Sequence, residues 1–154
     1  MDSNSNKGVK TRYKFEAQKK ISTLWFILSF FLILLFVIFT FTNRFEENVG
    51  DAWQWLLQQL IPTLTLFIGV FVAASQEKLK NIKVNSFYFK LTYNLSIAYF
   101  FLLILTILAI PYAVLALEKT VYEYLQLSST YLIPVLGLVT ASIGIFFSKE
   151  GNNT

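Results

Sequence analysis

The sequence contains no cysteine, no histidine and a single methionine among its 154 residues, and only 14% of the residues are charged. Without cysteine the chain holds no disulfide, no thiolate nucleophile and no cysteine-bound zinc or iron–sulfur site. Without histidine it lacks the commonest metal ligand and the usual acid–base group near neutral pH. In contrast, 55% of the residues are hydrophobic. This balance predicts that lipid surrounds much of the chain, and we expect no metal site and no cofactor.

Four long segments of the chain carry no charge. They lie between Lys20 and Arg44, between Asp51 and Glu77, between Lys90 and Glu118, and between Glu123 and Lys149. A bilayer core about 30 Å thick needs about 20 apolar residues of helix, and each segment is longer than that. We therefore expect an all-α, polytopic membrane protein whose four transmembrane helices occupy residues 21–147. The predicted spans are 21–42, 53–74, 94–117 and 127–147. The predicted flanking segments are a basic tail at 1–20, a basic loop at 75–93 and a C-terminal tail at 148–154.

Lysine and arginine are unevenly divided between the two sides of the predicted bundle. The two tails and the second connection carry eleven of the 13 basic residues, whereas the first and third connections carry only Arg44 and Lys119. Because basic segments remain on the cytoplasmic side, both termini are expected to face the cytoplasm from an inner (plasma) membrane. The start of the chain has a long polar region and then a full-length span, so we expect that helix to be retained rather than cleaved.

An internal repeat is visible in the second and fourth spans. The pattern L-I-P-x-L-x-L occurs at residues 60–66 and again at 132–138. A shift by the same number of residues also aligns the first span with the third in the sequence. The chain is therefore predicted to consist of two tandem helical hairpins of equal topology. A parallel repeat of this kind does not indicate the midplane substrate site of inverted-repeat transporters.

Small and polar residues form stripes at helical spacing on the second and fourth spans. They are Gln58, Pro62, Thr65 and Gly69 on the second span, and Gly137, Ala141 and Gly144 on the fourth. Such stripes fit plain packing between membrane helices. They also fit the wall of an aqueous path between several subunits, since four helices leave little room for a pore within one chain. The Phe-rich first helix is expected to face lipid nearly all round, with the second and fourth helices as the inner pair.

Two further features of the spans bear on function. None of the spans contains an ionisable Asp, Glu, Lys, Arg or His. Intramembrane ionisable groups usually mark proton relays or chemistry, so we do not expect an enzyme. Trp25, Trp53 and Trp55 lie near span ends and are expected to be anchors at the membrane–water interface.

The basic tail and the basic loop hold the candidate residues for binding at the cytoplasmic face. These are Lys7, Lys10, Arg12 and Lys14 in the tail, and Lys78, Lys80, Lys83 and Lys90 in the loop. Basic residues beside aromatic rings fit anionic lipid headgroups. They also fit a nucleotide or oligonucleotide, through phosphate contacts and stacking, or an acidic protein partner. Because both segments lie on one membrane face, we expect them to be near each other.

In its overall architecture the chain resembles the small four-helix membrane components of bacterial antiphage systems, such as the transmembrane effector of Hailong systems and the membrane subunit of Kiwa systems. The resemblance consists of chain length, topology with both termini inside, the basic segments 7–20 and 78–90, and the lack of a catalytic residue set. It implies a homo-oligomer, often a tetramer, that opens the membrane or relays a signal. The leading hypothesis is therefore an oligomeric channel-type effector gated from its basic face. The main alternative is a non-conducting membrane adaptor or sensor that anchors a soluble partner, and a third possibility is a small uncoupled carrier.

Overall fold

The computed structural model describes residues 11–45, 48–75 and 83–148. These residues form the helices α1 (Lys14–Phe41), α2 (Val49–Ser75), α3 (Ser86–Leu117) and α4 (Val121–Ser148), and the short strands β1 (Thr11–Tyr13) and β2 (Lys83–Asn85). All four helices are long and apolar enough to cross a membrane. Within a bilayer a helix satisfies its own backbone hydrogen bonds, which explains why these apolar runs are helical. The predicted all-α architecture with four membrane-spanning helices is confirmed.

Each helix begins one to two turns before the span predicted for it. The prediction counted only uncharged residues, whereas a helix continues into the headgroup region, where long charged side chains reach water. Lys14 is therefore the first residue of α1, and Lys90 lies on α3 rather than in a loop.

The tandem-hairpin prediction is confirmed by the bounds of the elements. In the first half of the chain β1, α1 and α2 begin at positions 11, 14 and 49, and in the second half β2, α3 and α4 begin at positions 83, 86 and 121. Each element of the second half thus begins the same number of residues after its counterpart in the first half. This number equals the separation between the two copies of the L-I-P-x-L-x-L pattern. The strands pair antiparallel, and their central pair, Arg12 and Val84, has this offset as well. This ribbon therefore joins equivalent positions of the two repeats and brings the basic tail and the basic loop together, as the shared membrane face predicts.

The helices pack as an up-and-down bundle with two distinct ends. α3 packs most extensively on α4, α2 packs next most extensively on α4, and α1 contacts α2 and α3. α1 and α3 begin beside the ribbon, and the ring of Phe89 near the start of α3 lies 6.4 Å from that of Phe146 near the end of α4. We call this the basic end of the bundle. The opposite end, with Asp51, Glu118 and Glu123, is the acidic end.

The expectation that α1 faces lipid nearly all round is wrong. α1 is the least buried of the four spans, yet Trp25, Leu32 and Phe36 on its inner stripe are fully buried. Trp25 and Trp55 are core residues rather than interface anchors, with exposed fractions of 0% and 3%. Proximity to a span end does not specify which face of the helix a residue occupies, and here both rings point inward.

The turns at the acidic end are fixed by local hydrogen bonds. After α1, Asn43 adopts a left-handed conformation with φ of 53°, and the Arg44 N–H donates to the Phe39 carbonyl at 3.0 Å. This pairing is a Schellman motif, which satisfies the last carbonyls of the helix. Before α4, the Thr120 N–H donates to Glu123 Oε2 at 3.0 Å and the Glu123 N–H donates to Thr120 Oγ1 at 3.2 Å. This capping box defines where α4 begins.

Candidate functional site

The small and polar stripe of α2 lies on the outside of the bundle. Gln58, Pro62, Thr65 and Gly69 are all exposed. On the opposite flank of α2, the indole N–H of Trp53 donates to Thr40 Oγ1 of α1 at 3.0 Å. At about 100° per residue, the stripe lies about 120° or more around the helix from Trp53. The stripe therefore points away from α1.

The stripe of small residues on α4 also lies toward the outside of the bundle. Gly137 and Ala141 are exposed and Gly144 is half-buried. α4 contacts α3 through Tyr131 and Ser142 on another flank, and Gly137 and Gly144 lie away from that flank. Because α2 packs against α4 and both helices run from the acidic to the basic end, the two stripes border one surface. We call the seven predicted residues of this surface the α2/α4 face.

Gln58 is the most polar group on the α2/α4 face. It lies in the third turn of α2, five residues, or about 7.5 Å along the helix axis, inside the start of the span predicted at residue 53. Pro62 has no N–H, so the Gln58 carbonyl cannot receive the usual helical hydrogen bond. Pro134 removes the equivalent bond from Thr130, which is also exposed. Each repeat thus presents a polar side chain and a carbonyl without its usual donor at the same depth.

Thr65, unlike Gln58, needs no hydrogen-bond partner from outside the chain, because its hydroxyl bonds to carbonyls of its own helix. Thr65 Oγ1 lies 2.9 Å from the Ile61 carbonyl and 3.0 Å from the Pro62 carbonyl. Thr140 on α4 makes the same contacts with Leu136 and Gly137. Neither hydroxyl therefore requires water or a second chain.

The centre of the bundle is filled by aromatic rings at the level of Trp25. The Trp25 ring lies 6.1 Å from Phe67, 5.7 Å from Tyr99 and 4.6 Å from Phe100. Its indole N–H donates to Ser96 Oγ of α3 at 3.0 Å. Rings from three helices therefore occupy the bundle axis at this level.

A buried polar group that the sequence did not single out connects α3 to α2. Tyr99 OH lies 3.0 Å from the Gln59 carbonyl and 3.1 Å from Gln59 Oε1. Gln59 Nε2, Thr63 Oγ1 and Trp55 Nε1 are buried without a hydrogen-bond partner in the described part of the chain. These three residues are spaced four apart and form the inner stripe of α2. Gln59 and Thr63 adjoin the predicted stripe in sequence, but their complete burial shows that they face inward.

Polar contacts also join α3 to α4. Thr92 Oγ1 and Ser142 Oγ are 2.7 Å apart, and Thr106 Oγ1 and Tyr131 OH are 2.8 Å apart. Tyr124 OH donates to the Thr106 carbonyl at 3.2 Å. These contacts connect helices of the second hairpin and have the role expected of structural polar contacts in a membrane.

The predicted basic site is only partly within the described residues. Arg12 and Lys83 lie in the paired strands, Lys14 begins α1 and Lys90 is exposed on α3. Lys7, Lys10, Lys78 and Lys80 lie outside the described residues. The structure thus brings one residue of the tail, Arg12, next to the segment of the loop that contains Lys83. Among the described residues, acidic side chains do not gather in a group of three that could hold a metal ion.

Four apolar helices of spanning length define the chain as a multi-pass membrane protein. Comparison with protein-family models, with curated proteins and with solved structures gives no match to it.

Proposed function

We propose that the protein is a homo-oligomeric membrane pore, most simply a tetramer, in which the α2/α4 faces of neighbouring copies meet around a shared axis. The observation that carries this proposal is Gln58, an exposed amide at hydrocarbon depth beside its own carbonyl that lacks its helical donor. Lipid tails offer no hydrogen bonds, and an unsatisfied polar group in the bilayer is costly. A second copy or a column of water supplies the missing partners.

The filled bundle centre supports a path between chains rather than within one. The rings around Trp25 occupy the axis of the single bundle. Gly69 and Gly137 on the α2/α4 face are exposed, and a Cβ added at either would meet no atom within 4 Å. The chain itself therefore does not require glycine there, whereas close approach of a second helix does.

In this proposal the pore is controlled from the basic end of the bundle. The distribution of basic residues predicts that this end faces the cytoplasm. α1 and α3 begin directly after the paired strands, and the centre of the ribbon pairs Arg12 with Val84. A cytoplasmic protein, nucleotide or oligonucleotide that binds the basic segments therefore acts on the start of two helices at once.

The pore is tested by ion flux from liposomes that contain purified protein. Gln58→Leu removes the amide while keeping side-chain size, and flux is expected to change by an order of magnitude or more, with an unchanged amount of assembled protein. Ile61→Leu, on an exposed and already apolar position of α2, is the matched control and should conduct like the parent. Equal flux for both variants, or no flux from the parent chain, would contradict a pore.

A second candidate, a non-conducting membrane adaptor or sensor, is supported by the ribbon. Arg12 and Lys83 lie on paired strands that adjoin the basic segments, an arrangement suited to docking a soluble partner. Replacing Lys78, Lys80 and Lys83 by Ala should then abolish capture of the partner, while flux is nil in parent and variant alike. A parent chain that conducts would exclude this role.

The resemblance to antiphage membrane components adds a cellular role to the pore proposal. If the protein is such an effector, cells that express it with its native neighbours should survive phage challenge better than cells without it. Gln58→Leu should lose that protection and Ile61→Leu should keep it. Equal protection by both variants would separate the cellular role from the pore.

A further inference from the structure

A groove of about 1010 Å³ lies between α1 and α3 at the basic end of the bundle. Lys19 and Lys20 line its outer part, and both are exposed. Leu24 and Ile27 of α1 line its deeper part, and Phe89 and Tyr93 of α3 line the opposite wall. The groove is therefore basic at the level where α1 enters the membrane and apolar one to two helical turns further in. We call it the α1/α3 groove.

We infer that the α1/α3 groove is a binding site for an anionic glycerophospholipid of the leaflet at the basic end. The distance along α1 from Lys20 to Ile27 is about 10 Å, which corresponds to the step from a lipid phosphate to the upper part of its acyl chains. Basic pockets between membrane helices on the cytoplasmic side hold anionic headgroups in this manner. The phosphate lies against the two lysines, and one acyl chain lies along Leu24 and Ile27.

The chemistry of the whole groove favours a lipid over a free phosphate. Glu16 also lines the outer part, so the two lysines and this carboxylate leave a net charge of +1. A small multivalent anion gains little from so low a charge. A phospholipid adds contact with Leu24 and Ile27 in the apolar deeper part, and with the Tyr93 ring, whose polar edge suits the interface.

The α1/α3 groove is separate from the α2/α4 face, because it involves the other two helices of the bundle. Lipid binding there neither requires nor blocks the proposed contact between copies. The inference therefore does not depend on whether the protein conducts ions.

Native mass spectrometry of the delipidated full-length protein tests the site by titration with phosphatidylglycerol or phosphatidylcholine. Each basic residue near the headgroup contributes about 5-fold to the affinity for an anionic lipid. The double variant Lys19→Gln/Lys20→Gln should therefore bind phosphatidylglycerol about 30-fold more weakly than the parent. Binding of phosphatidylcholine should change little. Lys119→Gln, at the exposed acidic end, removes a charge far from the groove and should leave phosphatidylglycerol affinity unchanged.

A second variant tests the apolar part of the groove. Leu24→Trp fills the space for the acyl chain while keeping both lysines, and it should also weaken phosphatidylglycerol binding. Helix content by circular dichroism and elution volume verify that each variant is folded. Equal phosphatidylglycerol affinity in the parent and the double lysine variant would overturn the site. Displacement of the lipid by an equal concentration of glycerol 3-phosphate would overturn the lipid as occupant, since the headgroup alone would then account for binding.

Discussion

Replacing Trp25 by Ala tests the central packing of the bundle, because this ring contacts α2 and α3 at once. It contacts three other rings and donates a hydrogen bond to Ser96. Lipid surrounds the helices before and after they associate, so the loss is one of packing rather than of transfer from water. Ring pairs contribute about 0.5–1.5 kcal/mol each, and a hydrogen bond between membrane helices contributes about 0.6 kcal/mol. We expect Trp25→Ala to lower the free energy of unfolding by about 2–5 kcal/mol.

Phe30→Ala is the matched control for this prediction. Phe30 is on the same helix but is 63% exposed, so its truncation should change stability by less than about 0.5 kcal/mol. Both variants are compared with the parent by reversible SDS titration in mixed micelles, followed by tryptophan fluorescence, which Trp53 and Trp55 still supply in Trp25→Ala. Equal losses for the two variants, or a larger loss for Phe30→Ala, would refute the inward orientation of Trp25.

Three further substitutions test individual contacts by the same titration. Tyr99→Phe removes the hydroxyl that bonds Gln59 and should destabilise the bundle by about 0.6–1.7 kcal/mol; unchanged stability would mean that this bond contributes nothing. Thr63→Val removes a buried hydroxyl without a described partner at nearly constant volume, so it should be neutral or stabilising by up to about 1 kcal/mol; a clear loss would reveal a partner such as a bound water. Thr120→Ala removes the side chain that caps the Glu123 N–H and should cost about 1 kcal/mol, whereas an unchanged midpoint would show that the capping box does not stabilise α4.

The number of helices and their pairing into hairpins were predictable from the sequence. Uncharged runs long enough to cross a bilayer are rare in water-exposed domains, and the repeated L-I-P-x-L-x-L pattern carries the hairpin offset. The helix starts were predicted too late, since Lys14 and Lys90 belong to helices despite their charge. Charge marks the edge of the hydrocarbon, and the backbone remains helical beyond it.

The inward or outward direction of individual side chains was harder to predict. Trp25 and Phe26 are adjacent, yet the first is fully buried and the second is 40% exposed. In a span that is apolar all round, composition does not distinguish the core from lipid, so contacts with other helices decide. The Tyr99–Gln59 contact and the β1–β2 ribbon were not predicted for a related reason. Each joins residues that are far apart in the sequence, so no local pattern indicates it.

The stripes on α2 and α4 were found from spacing alone, and the structure adds where they lie. Both are on the outer surface of the bundle, whereas Gln59 and Thr63, adjacent in sequence, are inside. The polar side chains of α2 are thus divided between an inner stripe that faces the core and an outer stripe that is exposed.

Cysteine cross-linking in native membranes tests the contact between copies most directly, and the cysteine-free parent chain makes the result unambiguous. Gln58→Cys, on the α2/α4 face, should form a disulfide-linked dimer in high yield under mild oxidation. Phe101→Cys, exposed on α3, should remain monomeric under the same conditions. Dimer formation at Phe101→Cys but not at Gln58→Cys would contradict assembly through the α2/α4 face, as would the absence of a dimer for both.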